Sequence, residues 1–222
     1  VTLIASAGSC SDQITIQVTS FPNPTADFST TDVCAGMPAD FVDNSTVTGS
    51  TISQWAWDFD TQGNAFTQNA SFTFPAEGTY SVTLGVISAD LCSDTYTGPI
   101  TIYPLPVPAF TADQVCEGIS TSFQDQSTVS SGSISGQAWD FGDASGTATG
   151  ASPSYTYTSA GTYSVTLALT TDFGCTAIYN QDVTVNTLPI LDAQHTDILC
   201  FGQTNGTATA TASGGNPPYA YV

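Results

Sequence analysis

A seven-residue string, Gly-Thr-Tyr-Ser-Val-Thr-Leu, occurs twice in this chain, at residues 78–84 and again at residues 161–167. A Trp-Asp-Phe triplet precedes each copy, at residues 57–59 and 139–141. The chain is therefore a tandem array with a period of about 82 residues, which must be read as an array before anything else. Because arrays of small strand-rich units span distance or present a surface, this repeat favours a structural or binding role over catalysis.

Each repeat carries the alternation of apolar and polar residues that is typical of half-buried β-strands. Short strands of this kind, separated by turn residues in units of about 80 residues, predict a β-sandwich, and no window shows a convincing helical period. We expect the large residues on the apolar faces to form the structural core: Trp57, Phe59, Tyr80, Trp139, Phe141 and Tyr163. The two tryptophans are also candidates for sugar-stacking platforms, but their alternation with phenylalanine favours the core.

The chain has 19 acidic residues, a formal net charge of −19 and no lysine or arginine. Ordinary chains carry about 25% charged residues of both signs, so this absence is not a sampling accident. Trypsin-like proteases have no cleavage site, and the carboxylates have no lysine or arginine partner within the chain. Phosphate contacts require basic side chains, so nucleic acid is excluded as a partner, as is direct attachment to anionic lipid. No apolar run is long enough to predict membrane insertion.

The boundaries follow from aligning the repeats with one another. Residues 1–21 resemble the last hairpin of a preceding domain, and complete domains occupy residues 22–103 (the first domain) and 104–187 (the second domain). Residues 188–222 open a different unit, the C-terminal unit. Proline-rich junctions separate these parts and favour extended, semi-rigid connections. We expect the chain to be an excerpt from a much longer protein.

Both domains resemble PKD domains, which are immunoglobulin-like modules. The second domain has the family pattern Trp-Asp-Phe-Gly-Asp at residues 139–143, Tyr-Thr-Tyr at 155–157 and the repeated string. The first domain has Asp60-Thr61 in place of Gly-Asp and Phe-Thr-Phe at residues 72–74. The resemblance implies an all-β fold of tandem immunoglobulin-like (PKD) β-sandwiches, arranged as beads on a string.

The C-terminal unit resembles a different family. Cys-Phe-Gly-Gln-Thr-Asn-Gly-Thr-Ala at residues 200–208 and Gly-Gly-Asn-Pro-Pro-Tyr at 214–219 are similar to the opening of an SprB repeat. Such repeats occur in very large surface adhesins of gliding Bacteroidota. The resemblance therefore implies a giant secreted surface protein of that phylum, exported by its type IX secretion system and associated with gliding motility.

The cysteines are spaced as in a disulfide-bonded extracellular protein, without a C-x-x-C pair that would indicate zinc. The disulfide candidates are Cys10, Cys34, Cys92, Cys116, Cys175 and Cys200. In an immunoglobulin-like sandwich, a strand of seven residues spans about 23 Å, whereas a disulfide joins Cα atoms about 5–6 Å apart. Two pairings remain open: Cys34–Cys92 with Cys116–Cys175 inside the domains, or Cys34–Cys175 between them.

No residue pattern indicates a catalytic site or a cofactor. Asp58 and Asp140 follow the repeated tryptophans, and we expect them to form hydrogen bonds in the next turn. The recurring Asp-Asn-Ser at residues 43–45 and Asp-Gln-Ser at 125–127 are candidates for a structural Ca²⁺ site, although neither has the dense aspartate spacing of a calcium loop. We expect His195, which has no catalytic partners in the sequence, to face solvent or to lie in a turn.

These features together favour a non-enzymatic stalk in an extracellular or cell-surface adhesin or filament. Its partners are neighbouring domains of the same long chain and, in addition, polysaccharide or other surface ligands. Two alternatives remain. One is a polysaccharide-binding module, which requires exposed aromatic residues beyond the repeated core set, and the other is a spacer within a secreted hydrolase.

Overall fold

The computed structural model describes residues 1–198, 200–202, 204–215 and 217–221 of the 222-residue chain. The described residues form strands, turns and irregular segments, with no helix among them. The chain divides into two compact units, residues 1–102 and 103–222. The strands are β1 (Thr2–Ala7), β2 (Cys10–Thr15), β3 (Phe28–Thr30), β4 (Val33–Cys34), β5 (Ala39–Asp43), β6 (Ile52–Phe59), β7 (Asn64–Ala65), β8 (Ala70–Phe72), β9 (Gly78–Ser88), β10 (Ser93–Tyr103), β11 (Phe110–Ala112), β12 (Ser120–Asp125), β13 (Ile134–Asp140), β14 (Thr147–Thr149), β15 (Ser154–Thr156), β16 (Gly161–Thr171), β17 (Thr176–Val185), β18 (Ile190–Thr196) and β19 (Thr207–Ser213).

The first domain is a sandwich of two sheets. The larger sheet has the strand order β4-β10-β9-β6-β7, and the smaller sheet has the order β3-β5-β8. The repeated string begins β9, in which Val82, Leu84 and Val86 are buried and alternate with more exposed residues. This period of two places one face of the sheet in the core. β9 pairs antiparallel with both β6 and β10, so it lies at the centre of the larger sheet.

The second domain has the same architecture. Its larger sheet has the order β14-β13-β16-β17, and its smaller sheet has the order β11-β12-β15. A parallel bridge between Cys116 and Asn186 occupies the position that β4 takes in the first domain. The described chain is therefore all-β, with two tandem β-sandwiches.

Aromatic packing repeats almost without change in the two cores. Trp57 is 1% exposed and Trp139 is 2% exposed. The ring of Trp57 lies 5.7 Å from the ring of Phe41, and Trp139 lies 5.7 Å from Phe123, with interplanar angles of 51° and 52°. Because these contacts join the two sheets of each sandwich, they hold the layers in register.

Backbone carbonyls satisfy the polar atoms of the core tryptophans and of Tyr80 and Tyr163, which are partly buried and pack against the cores. The indole nitrogen of Trp57 donates to the carbonyl of Thr67 at 2.9 Å, and Trp139 donates to the carbonyl of Gly150 at 2.8 Å. The Tyr163 hydroxyl donates to the carbonyl of Ser159 at 2.7 Å, and Tyr80 makes the same type of contact four residues upstream. These tyrosines match the tyrosine corner of immunoglobulin-like sandwiches.

Two short hairpins flank the sandwiches in sequence. β1 pairs with β2, and β18 pairs with β19, each as an isolated antiparallel ladder. The side chains of β1 and β2 are exposed along both strands. That the first hairpin ends a preceding domain, and that the boundaries fall at residues 21, 103 and 187, remain predictions. Gln203 and Asn216, two positions of the motifs in the C-terminal unit, lie outside the described residues.

Candidate functional site

The turn after each Trp-Asp-Phe triplet is held by the aspartate of that triplet. Oδ1 of Asp58 accepts a hydrogen bond from the amide of Thr61 at 2.9 Å. Oδ1 of Asp140 accepts one from the amide of Gly142, also at 2.9 Å. The expected hydrogen bonding in these turns is confirmed, and the two carboxylates stabilise the loops that follow β6 and β13.

The loop of the second domain contains a more extensive polar network, centred on Asp143. Its Oδ1 accepts hydrogen bonds from the amides of Ser145 at 3.1 Å and Gly146 at 2.8 Å. Its Oδ2 accepts a short hydrogen bond from the hydroxyl of Tyr155. The hydrogen bond from Tyr155, followed by those from Gly146 and Ser145, lowers the pKa of Asp143 to about 2. The carboxylate is therefore a fixed, ionised anchor for this loop, which is a poor arrangement for general acid catalysis.

The first domain lacks this network because it has different residues at the positions of Asp143 and Tyr155. Thr61 occupies the position of Asp143, and Phe72 occupies that of Tyr155. Phe72 stacks on Phe59 with ring centroids 4.4 Å apart, and Tyr155 stacks on Phe141 at the same separation. The stacking is thus common to both domains, whereas the carboxylate–hydroxyl pair belongs to the second domain alone.

The two calcium candidates use their carboxylates in hydrogen bonds within the protein. Oδ1 of Asp43 accepts from the amide of Ser45 at 2.9 Å, and Oδ2 accepts from the indole nitrogen of Trp55 at 2.7 Å. Asp125 accepts from Ser127 at 2.9 Å and from Gln137 at 3.3 Å. Among the described residues, no group of three or more His, Cys, Asp or Glu side chains is placed to hold a metal ion. Each aspartate instead joins its strand to the neighbouring sheet, through Trp55 in one domain and Gln137 in the other.

The cysteines differ in their bonding states. Cys34 and Cys175 are disulfide-bonded, whereas Cys10, Cys92, Cys116 and Cys200 carry free thiols. The within-domain alternative, Cys34–Cys92 with Cys116–Cys175, is not what the structure has, because Cys92 and Cys116 are unbonded. Cys92 and Cys175 occupy equivalent hairpins between the last two strands of their domains, so equivalent positions do not share a bonding state.

His195 lies on β18 with its side chain exposed. Its Nε2 lies 3.4 Å from Oδ1 of Asp197, which is also exposed. The solvent-facing position expected for this histidine is confirmed. Within the described part of the chain, there is no helix of the length and apolar character needed to cross a membrane.

An exposed aromatic residue, Phe66, was not singled out by the sequence patterns. It directly follows β7, is 76% exposed and borders a groove of about 340 Å³ on the larger sheet of the first domain. The aligned residue of the second domain is Thr149. That difference between repeats, in the loop where the two copies diverge, is the sequence signal that could have identified Phe66.

Parts of the chain resemble known bacterial proteins. An 87-residue segment, 39% of this chain, is 38% identical to pre-pro-metalloprotease PrtV of Vibrio cholerae serotype O1. The segment spans 9% of the length of that protein. Among solved structures, the PKD1 domain of Vibrio anguillarum Epp is 33% identical over 36% of this chain and 93% of its own length, with a TM-score of 0.34. The PKD1 domain of the V. cholerae metalloprotease PrtV is 41% identical over 36% of this chain and 96% of its own, with a TM-score of 0.33.

Two family models match consecutive parts of the chain. The PKD domain model matches residues 22–102 and again residues 103–187, which together are more than half of the chain. The SprB repeat model matches residues 193–222. The chain thus belongs to the PKD domain family, with two tandem PKD domains followed by an SprB repeat.

Proposed function

We propose that this chain is a structural and adhesive segment of a very long secreted cell-surface protein or filament, in which the PKD domains act as a disulfide-stabilised stalk. The observation that carries the proposal is the succession of two PKD domains and an SprB repeat in one chain. Both kinds of module are typical of extracellular proteins. The repeated cores around Trp57 and Trp139 support a scaffold role, because the packing of the core is the part that the two repeats share.

The charge pattern supports the same role. A chain without lysine or arginine offers trypsin-like proteases no cleavage site. Its net charge of −19 makes neighbouring copies repel one another, which keeps an extended surface protein soluble and separate. The disulfide-bonded Cys34 and Cys175 are consistent with an oxidising compartment.

The finer assignment follows from the SprB repeat. We extend the proposal to a surface protein of the Bacteroidota that is exported by type IX secretion and takes part in gliding motility. An epitope tag inserted into the complete gene of the source bacterium tests this location. We expect an antibody to label intact cells and deletion of the secretion system to abolish the labelling. Labelling that requires permeabilised cells would contradict the proposal, and a cytoplasmic protein carrying the same tag is the control.

A mechanical measurement tests the stalk role separately. The 222-residue chain can be pulled between its ends in a single-molecule experiment, before and after reduction of its disulfide. We expect reduction to lengthen the chain released on unfolding, because a disulfide excludes the residues that it encloses from extension. An unchanged extension in the two states would count against a disulfide-stabilised stalk.

A second candidate function is favoured by the relationship to the metalloprotease of V. cholerae. In this alternative the PKD domains are spacers within a secreted hydrolase. The complete open reading frame distinguishes the two, since a catalytic domain in the same chain favours the hydrolase. Further SprB repeats without a catalytic domain favour the adhesin.

A further inference from the structure

We propose that the first domain binds a neutral polysaccharide in the groove beside Phe66, hereafter the Phe66 groove. This inference rests on the proposed extracellular, adhesive function and names the ligand class for it. The groove lies on the face of the larger sheet that points away from the core, and it has a volume of about 340 Å³.

A row of small residues forms the floor of the groove. Ala56 pairs with Gly85, and Gly85 pairs with Thr95, so these three residues lie side by side on β6, β9 and β10. Ala65 of β7 pairs with Trp57, which places Phe66 beside Ala56 at the end of the same row. A shallow trough thus crosses three strands, with an aromatic side chain at one end.

The groove offers the contacts that a sugar ring requires. A pyranose ring presents apolar C–H groups on its faces and hydroxyl groups around its edge. The exposed ring of Phe66 provides an apolar surface for a sugar face. Gln54, Ser93 and Thr95 line the same groove with exposed amide and hydroxyl groups that hydrogen-bond to the sugar edge. A concave, mostly apolar site with a few polar groups is the usual form of a small-ligand site.

The charge of the chain selects among polysaccharides. With no lysine or arginine and a net charge of −19, the protein repels anionic polymers such as uronic acid chains. Asp94 also lies in the groove, where its Oδ2 accepts a hydrogen bond from the amide of Ala26 at 2.9 Å. A neutral polymer meets none of this repulsion and is therefore the ligand class that fits.

The second domain keeps an alanine, Ala138, at the position of Ala56 but differs at three other positions of this arrangement. Thr149 replaces Phe66, Ala168 replaces Gly85, and Ile178 replaces Thr95. Ile178 is 68% exposed and stands where the first domain has the small floor residue. The two domains share a core but not this surface, so we assign binding to the first domain alone.

The test uses the whole 222-residue chain in affinity electrophoresis and calorimetry with laminarin, xyloglucan and galactomannan, and with alginate as an anionic polymer. We expect the chain to bind at least one of the three neutral polymers and not alginate. Phe66→Ala should weaken that binding about tenfold or more, which corresponds to about 1.4 kcal/mol. Phe201→Ala, which removes a fully exposed aromatic residue elsewhere in the chain, is the matched control and should bind as the unmodified chain does.

A second variant changes the floor without removing the aromatic ring. A Cβ at position 85 would lie 3.7 Å from the nearest atoms, the carbonyl oxygen of Ala56 and a methyl carbon of Thr95, which is ordinary van der Waals contact. Gly85→Ala combined with Thr95→Ile therefore gives the floor of the second domain, and we expect it to weaken binding about tenfold.

Three results would overturn the proposal: no binding to any of the neutral polymers, equal binding to alginate, or undiminished binding by the Phe66→Ala chain. These results leave the surface-labelling experiment unaffected. A failure of the groove can thus be distinguished from a failure of the proposed function.

Discussion

The indole nitrogen of Trp55 donates a 2.7 Å hydrogen bond to Oδ2 of Asp43 in the adjacent strand layer. In the second domain, the amide nitrogen of Gln137 donates to Oδ2 of Asp125 at 3.3 Å. Two chemically different side chains therefore provide one donor at equivalent positions. The shared requirement is an N–H group that reaches from the larger sheet to the carboxylate on the smaller sheet.

We predict that Trp55→Phe lowers the stability of the first domain by about 1 kcal/mol, because Asp43 loses a donor while most of the aromatic packing remains. Hydrogen–deuterium exchange measured on peptic fragments reports the protection of backbone amides in the first domain separately from that in the second. Gln54→Ala, at an exposed neighbouring position, is the control and should leave the exchange unchanged. Equal protection in the Trp55→Phe and unmodified chains would show that this hydrogen bond contributes nothing.

The Asp143–Tyr155 pair predicts a pH response confined to the second domain. The pKa of Asp143 is lowered from its ordinary value of 3.8 to about 2 in the folded protein, first by the Tyr155 hydroxyl. The stabilisation is therefore fully present above the unfolded pKa near 3.8 and is lost as the pH falls through about 2. A carboxyl-detected NMR titration measures this pKa directly.

Tyr155→Phe should raise the pKa of Asp143 towards 3.8 and leave the ring stacking on Phe141 in place. The first domain already has Phe72 at the equivalent position and serves as an internal comparison. A pKa of Asp143 that stays near 2 in the Tyr155→Phe chain would show that the backbone amides of the loop hold it there without the tyrosine.

We predict that the stability of the second domain is unusually sensitive to substitution of Gly142. Its φ is 77°, and an added Cβ would lie 2.5 Å from the carbonyl oxygen of Ser164, which is backbone and cannot move aside cheaply. We expect Gly142→Ala to destabilise the second domain by about 3 kcal/mol, through a strained φ together with this clash. Gly174→Ala is the matched control, since its φ of 80° is similar but no atom lies within 4 Å of the added Cβ.

The control variant should cost about 1 kcal/mol, the penalty for a left-handed backbone alone. Urea denaturation followed by circular dichroism compares the two variants. Equal destabilisation by both would mean that the contact with Ser164 relaxes, and that backbone conformation is the whole effect.

The bonding states of the cysteines give a chemical prediction. Alkylation without reduction should label the four free thiols, Cys10, Cys92, Cys116 and Cys200, whereas Cys34 and Cys175 should be labelled only after reduction. Cleavage must be made at aspartate or tryptophan, because trypsin has no site in the chain. A single linked peptide pair that contains Cys34 and Cys175 would establish the between-domain alternative that the sequence left open. Labelling of Cys34 before reduction would contradict the assigned states.

The alternation of apolar and polar residues was sufficient to predict the main strands, because Trp57 and Phe59 lie on one face of their strand whatever the conformation of the loops. The turn role of Asp58 was also predictable, since its acceptor lies only three residues away. The Asp143–Tyr155 contact was not, because it joins residues twelve positions apart across a loop whose path depends on the whole sandwich. The floor of the Phe66 groove was hidden for the same reason: Ala56, Gly85 and Thr95 become neighbours only through strand register.

The hydrogen bonds from the two core tryptophans to backbone carbonyls affect which sequence changes these domains can accept. Every residue type carries a backbone carbonyl, so the hydrogen bonds to Thr67 and Gly150 use no side-chain atom of the acceptor residue. The segment that joins the tryptophan to its acceptor is one residue longer in the second domain, yet the tryptophan is anchored in the same way. Substitution at position 67 can therefore leave the tryptophan anchored, which makes the short connection between β7 and β8 a practical position for grafting foreign peptides onto the scaffold.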